Sequence, residues 1–277
     1  MSPRVPTIAA VMTVHNRRDL TLTCLRSLLT TQTPTPARIT VFLVDDGCTD
    51  GTGAAVAEQF PDVVVIAGTG SLFWAAGMAL AESRALETGP DLLLWLNDDV
   101  TLDPDAIVRL LAVHEQHPDA IIVGATRDPV TGRGSFGARS LVGHHPQRFA
   151  SLPPCEEPQV VEAFNGNIVL VPRSAHQRVG PIDGTFAHAY ADDDYSLRAL
   201  RSGVPAVAAA STLGTCEFMP SPPLEGRTPL ARWRALQAPT RRPWHSQVRY
   251  LRRHAGWRWP WYLVGGYAKV TLLRSRP

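Results

Sequence analysis

ITVFLVDDGCTDGTGAAVAEQFPDVVVI, residues 39–66, contains one complete unit of the fold. Ile39–Val44 is an apolar run interrupted only by Thr40, the pattern of a strand buried on both faces. The acids and glycines of Asp45–Thr52 end it. Thr52–Phe60 then carries small and apolar residues as a helix does, and Val63–Ile66 resumes as a strand. Strand, helix and strand in so short a stretch predict a right-handed crossover and parallel pairing.

The same alternation extends both ways. Ile8–Val14, Leu92–Leu96 and Ala120–Val123 read as strands; Leu20–Leu29, Phe73–Leu86 and Asp105–His117 read as helices, with Asp19 and Asp103-Pro104 as start signals. The predicted class is α/β: a Rossmann-like, mostly parallel sheet with helices on both faces. Beyond Gly124 the pattern loosens. Asp128–Gly134 has the composition of a turn or hairpin, and strand candidates at Val160–Phe164 and Ile168–Val171 flank Asn165-Gly166-Asn167. A helix is expected over Asp193–Ser202 and a strand over Val204–Ala209. Pro220–Pro229 reads as a linker, and Ser246–His254 and Trp261–Leu273 as two further helices.

With 277 residues, 44% of them apolar and 19% charged, the chain can bury a core. Cys24, Cys48, Cys155 and Cys216 are scattered without CxxC pairing, which argues against a zinc or disulfide scaffold and for a reducing cytoplasm. There is no signal-like start, and no apolar run nears the ~18–20 residues of a span. Secretion and membrane insertion are not expected. The net charge of +2 hides an asymmetry: residues 221–277 hold eleven Arg and Lys269 against Glu225, leaving the preceding body acidic. Such a tail prefers phosphates or an anionic surface, unless it is simply a solvated helical face.

In an open α/β sheet, polar residues just past the strand ends form the site. Four clusters qualify: Thr13-Val14-His15-Asn16-Arg17, Asp45–Thr52, Asn97-Asp98-Asp99 and Tyr190-Ala191-Asp192-Asp193-Asp194-Tyr195. Gly68–Gly77 fails the G-x-G-x-x-G spacing, because Phe73 stands where the third glycine belongs. The pairs His114/His117 and His144/His145 lack zinc partners, and no Ser or Cys sits in a nucleophile elbow, so a hydrolase has no support.

Together these clusters resemble the inverting glycosyltransferases of the GT-A fold, family 2, over about residues 7–210. Asn165–Arg173, Gly180-Pro181-Ile182-Asp183 and Asp192–Arg198 are similar to the rhamnosyltransferase-like members that build surface polysaccharides and glycoconjugates. The resemblance implies a catalytic domain at 1–219, with a nucleotide-binding half over 7–125 and an acceptor half over 126–219. A basic, aromatic-rich helical extension follows at 220–277. It implies a divalent cation, Mn²⁺ or Mg²⁺, held by Asp99, with Asp98 at the cation or the ribose and Asn97 replacing the first acid of Asp-x-Asp. Thr13, His15, Asn16, Arg17, Asp46, Asn97 and Asp98 are expected at the nucleotide, Asp46 as acceptor for the base and Arg17 for phosphate. Gly70, Trp74, Asn165, Gly166 and Asp194 are expected around the donor sugar or acceptor. Many members carry a phosphate-binding Arg in the segment after Gly68, but here none occurs before Arg84.

Inversion needs a base facing the leaving group. Alignment back from Arg198 puts it at Asp192, with Ala191 where the family's Glu stands. Three consecutive acids leave the register open to Asp193 or Asp194. The expected donor is a dTDP-, UDP- or GDP-sugar, and the acceptor is a hydroxyl, a lipid-linked one included. The tail's Arg249, Arg252 and Arg253 with Trp257, Trp259, Trp261, Tyr262 and Tyr267 fit a segment lying on anionic lipid, and equally a helical pair packed on the body. The matching location is cytoplasmic, with peripheral contact at the inner face of the membrane. Nucleic acid is not expected, since no recognition motif accompanies the charge. A sugar-phosphate nucleotidyltransferase and a non-catalytic sugar-nucleotide binder are the rival readings.

Overall fold

The protein is described by a computed structural model covering residues 5–31, 38–218 and 228–272. In chain order the elements are β1 (Thr7–Val14), α1 (Arg18–Leu29), β2 (Arg38–Asp45), α2 (Thr52–Gln59), β3 (Val64–Ala67), α3 (Phe73–Leu86), β4 (Leu92–Leu96), β5 (Thr101–Leu102), α4 (Ala106–Gln116) and β6 (Ile121–Arg127). They continue with β7 (Ala138–Leu141), β8 (Phe149–Ser151), β9 (Gln159–Val161), β10 (Ala163–Phe164), β11 (Ile168–Pro172), α5 (Arg173–Val179), α6 (Ala191–Arg201) and β12 (Ala206–Thr215). The last are α7 (Pro229–Leu236), α8 (Trp244–His254), a 3-10 turn at Gly256–Arg258 and α9 (Trp259–Leu272).

Strand order in the main sheet is β3-β2-β1-β4-β11-β6-β12-β5, with β9 also on β12. From β3 to β4 every ladder is parallel, as is β6 with β12. The expected α/β class holds. At the edge β5 and β9 run antiparallel to β12, and inside the sheet β11 runs antiparallel to both β4 and β6. That reversal matters for the site. Ile168 pairs with Leu96, so the Asn165-Gly166-Asn167 turn before β11 abuts the Asn97-Asp98-Asp99 turn after β4, and the Asn97 N–H donates to the Asn167 carbonyl at 3.1 Å.

Alternate residues of a strand face opposite sides, and both sides of β1 are buried. Ile8, Ala10, Met12 and Val14 join a core with α1, α2 and α4. Ala9 and Val11 join a second core with α3, α6 and α8, where Trp95, Tyr195 and Tyr250 are the bulk. Near-continuous apolar strands are the sequence mark of this double burial.

Several local expectations change. Val160–Phe164 is not one strand: it divides into β9, on the main sheet, and β10, in a separate antiparallel sheet β10-β7-β8. The strand expected at Val204–Ala209 continues to Thr215, with register shifts after Ala208. Most of the expected Pro220–Pro229 linker lies outside the described residues. At its end Thr228 caps α7, its hydroxyl accepting the Ala231 N–H, with Pro229 in the first turn. The basic extension packs on the body: Tyr250 and Leu251 are fully buried, and the Tyr250 hydroxyl donates to the Pro146 carbonyl at 2.6 Å. Trp257 and Trp261 remain exposed. Among the described residues no helix is long and apolar enough to cross a membrane.

Candidate functional site

The carboxyl ends of β1, β2 and β4, the turn before β11 and the start of α6 open onto one cleft of about 490 Å³. Thr13, His15, Arg17, Asp46, Gly70, Trp74, Asn97, Asp98, Asp99, Asn165, Gly166 and Asp192 all line it. Acids far apart in the chain, Asp46, Asp99 and Asp192, thus share one opening.

Arg17 bridges the acids after β4, its guanidinium 3.3 Å from Asp98 Oδ1 and 2.9 Å from Asp99 Oδ2. Burial pushes the Asp98 carboxyl up to about 7, with the Asp99 charge adding to the rise and Arg17 opposing it. Asp98 Oδ2 is buried with no hydrogen-bond partner, and Asp99 Oδ1 meets only the Cys216 thiol at 3.5 Å. An orphaned carboxylate oxygen beside a second carboxylate fits a hard divalent cation. The described residues offer no cluster of three His, Cys, Asp or Glu for a metal.

Asp46 is 3% exposed, and its carboxylate accepts three backbone N–H groups, from Gly70 at 2.7 Å, Leu72 at 2.8 Å and Phe73 at 3.0 Å. Its main engagement is therefore with the loop that starts α3 rather than with an open hydrogen-bonding edge. The His15 Nδ1–H donates to the Asp46 carbonyl at 2.7 Å, which leaves Nε2 to accept from the Asn16 amide at 3.2 Å. Asn16 clamps the loop after β2. In left-handed backbone (φ 53°), it accepts the Thr49 N–H at 2.7 Å through its side-chain oxygen and is not part of the cleft wall.

Trp74 and Asn97 form one unit: the indole N–H donates to Asn97 Oδ1 at 2.8 Å. Trp74 stands edge-on to Trp95, and Gly166 lies against its ring, where an added Cβ would come within 2.6 Å of Trp74 Cζ2. Only glycine allows that approach.

The three acids at the start of α6 have separate fates. Asp192 lines the cleft, its Oδ2 accepting the Gly166 N–H at 3.3 Å and its Oδ1 the Asp193 N–H at 2.9 Å. Asp193 is paired with Arg139, while burial and the neighbouring Asp192 charge raise its pKa. Asp194, expected at the pocket, is corrected to a core residue. It is fully buried and bonded to Arg198 at 2.8 Å, Arg253 at 2.7 Å and His254 at 2.8 Å. Burial alone would raise its pKa, but these three partners hold it below the ordinary value.

Sequence reading missed other lining residues: Phe73, Phe136, Asn167, His188 and Thr240. His188, four positions before Asp192, has its pKa lowered by burial; the Asp192 charge opposes that and Arg17 adds to it. Its place just before the acid run was the available signal. Phe136 and Thr240 reach the cleft from distant loops that carry no motif.

The family description "Glycosyl transferase family 2" matches residues 9–180, more than half of the chain. A search of curated protein sequences returns no match. Among solved structures, residues 1–349 of S. aureus TarS superpose with a TM-score of 0.57 at 11% identity, over 96% of this chain and 81% of that one. The mannosyltransferase PcManGT from Pyrobaculum calidifontis, in complex with GDP-Man and Mn²⁺, gives 0.52 at 16% identity, over 97% and 74%. At such identities the superpositions speak for the fold, which is the GT-A arrangement already described. With the family match over the strands and turns that build the cleft, the chain belongs to glycosyl transferase family 2.

Proposed function

We propose that the protein is an inverting transferase that moves a sugar from a nucleoside-diphosphate donor to an acceptor hydroxyl. The observation that carries this reading is the shared cleft, with Asp98 and Asp99 at the end of β4 and Asp192 at the first turn of α6. Thr13, His15 and Arg17 on the β1 side suit the nucleotide, and Trp74, Asn165 and Gly166 suit the sugar and acceptor. The nucleotide half is 7–125 and the acceptor half 126–219.

Asp98 and Asp99 would hold the divalent cation, which offsets the charge that builds on the departing diphosphate. Arg17, within reach of both acids, would present planar donors that match the oxygens of the donor phosphates. Asp192 is held in orientation by two backbone N–H groups and takes the acceptor's hydroxyl proton as that oxygen attacks the anomeric carbon. Neither neighbouring acid is placed to serve as that base, because Asp193 is engaged by Arg139 and Asp194 is enclosed by Arg198, Arg253 and His254.

The rhamnosyltransferase-like motifs favour a dTDP-deoxyhexose donor, with UDP- and GDP-sugars as the alternatives a thermal-shift screen would compare. The exposed Trp257 and Trp261 favour peripheral contact with the inner membrane face by a cytoplasmic protein. Asp192→Asn should lower transfer by about 10²–10⁴-fold and leave donor affinity within a few-fold; an unchanged rate overturns the base assignment. Asp99→Ala should remove the dependence of donor binding on Mn²⁺, measured by calorimetry. Nucleotide binding with neither transfer nor donor hydrolysis would overturn the enzymatic reading.

A further inference from the structure

A second cavity, of about 390 Å³, lies between α7, α8, α9 and the turn before β8. Three cations line it, Arg148 from the turn, Arg242 from the loop before α8 and Lys269 from α9, and no acid does. Among the described residues none of the three forms an ion pair, although Arg249 and Arg253 on the neighbouring α8 are paired with Asp183. Burial, with Arg148 and Arg242 adding to it, lowers the pKa of His145 on the same wall, and among the described residues no acid lines the cavity.

The backbone supplies an independent observation. Gly265 and Gly266 fall in the middle of α9, where glycine weakens a helix relative to alanine. An added Cβ at either would meet nothing within 4 Å. Among the described residues no packing requires them, yet both line the cavity, and side chains there would narrow it. The remaining wall is apolar or aromatic, with Leu236, Leu263 and Tyr262, and it opens beside Trp261, which is 72% exposed.

We infer that this cavity is a second ligand site, taking a phosphate-bearing amphiphile whose anion is gripped by Arg148, Arg242 and Lys269 and whose apolar part lies along Leu236, Leu263 and Trp261. Guanidinium donors match phosphate oxygens two at a time, and the lysine adds a point charge. The site is separate from the donor cleft but joined to it. Gln247 on the cavity wall accepts from Gln147 and donates to the Tyr190 hydroxyl, and Tyr190 immediately precedes α6 and Asp192.

The phosphate can belong to a free phosphorylated amphiphile or to a bilayer headgroup, and two arms separate them. Dodecyl phosphate below its micelle concentration is titrated calorimetrically in EDTA. The full chain is also sedimented with phosphatidylcholine vesicles with and without phosphatidic acid. Arg148→Gln with Arg242→Gln should weaken binding about tenfold or more. Gly266→Ala should abolish dodecyl phosphate binding without lowering the melting temperature, which a purely structural role for the glycine would not give. Binding of the soluble ester assigns the free source. Vesicle binding alone, dependent on phosphatidic acid and lost in the double variant, assigns the headgroup. No binding in either arm, or binding undiminished in the double variant, overturns the site. None of these outcomes depends on Asp192, so failure here and failure of the transferase reading are told apart.

Discussion

At Gly166 a single hydrogen separates a working contact from a clash. Gly166→Ala should drive the Trp74 ring off Asn97, at a cost of about 1–3 kcal/mol for overpacking, read as a lower urea midpoint together with weaker donor affinity. Trp74→Phe tests the other half of the unit: the ring stays, but Asn97 Oδ1 loses its donor, for about 1–3 kcal/mol. Most of the lining residues were legible because strand ends followed by Asp, Asn, His and Gly are local signals. The destinations of Asn16 and Asp194 were not. Asn16 is claimed by Thr49, 33 residues on, and Asp194 by Arg253, 59 residues on. No window around either residue contains those partners.

Among elements, α6 and α8 depend on each other through charge. Asp194 from α6 is met by Arg253 and His254 from α8, and Asp183 in the preceding loop by Arg249 and Arg253. Two of the twelve basic residues after residue 220, Arg249 and Arg253, are thus used inside the molecule. Asp194→Ala would leave Arg198, Arg253 and His254 facing one another and should cost about 3–5 kcal/mol in denaturant unfolding. The successive βα units were readable because burial on both faces writes unbroken apolar runs. The direction of β11 was not, since Ile168–Val171 carries the same apolar signature whichever way it runs. The start of α7 was readable in principle: Thr228-Pro229 is a capping residue followed by proline, yet its proline-rich surroundings gave it the look of a linker.

For the whole molecule, acid should destabilise mainly below the ordinary carboxylate range. Burial holds His114, His145, His188 and His254 below the ordinary 6.5. As pH falls through that value the unfolded chain takes up protons first at these groups, which costs stability, but Asp98, raised to about 7, and Asp193, also raised, bind protons first in the native state and offset that loss. Asp183 and Asp194 are held below the ordinary 3.8, so stability is lost as pH falls below that value toward their native pKa values. Melting temperatures from pH 8 to pH 3 should therefore fall most steeply below about pH 3.8, and a profile whose main fall lies above pH 5 would contradict this.

The reversed strand also bears on how the chain is made. Until residues 168–172 leave the ribosome, Leu92–Leu96, fully buried in the finished protein, has β1 on one side and nothing on the other. A nascent or truncated chain ending near residue 125 would carry this greasy margin as an open template for other chains. Expression of 1–125 alone should therefore yield aggregates, whereas extension through Pro172 should restore solubility by closing that seam.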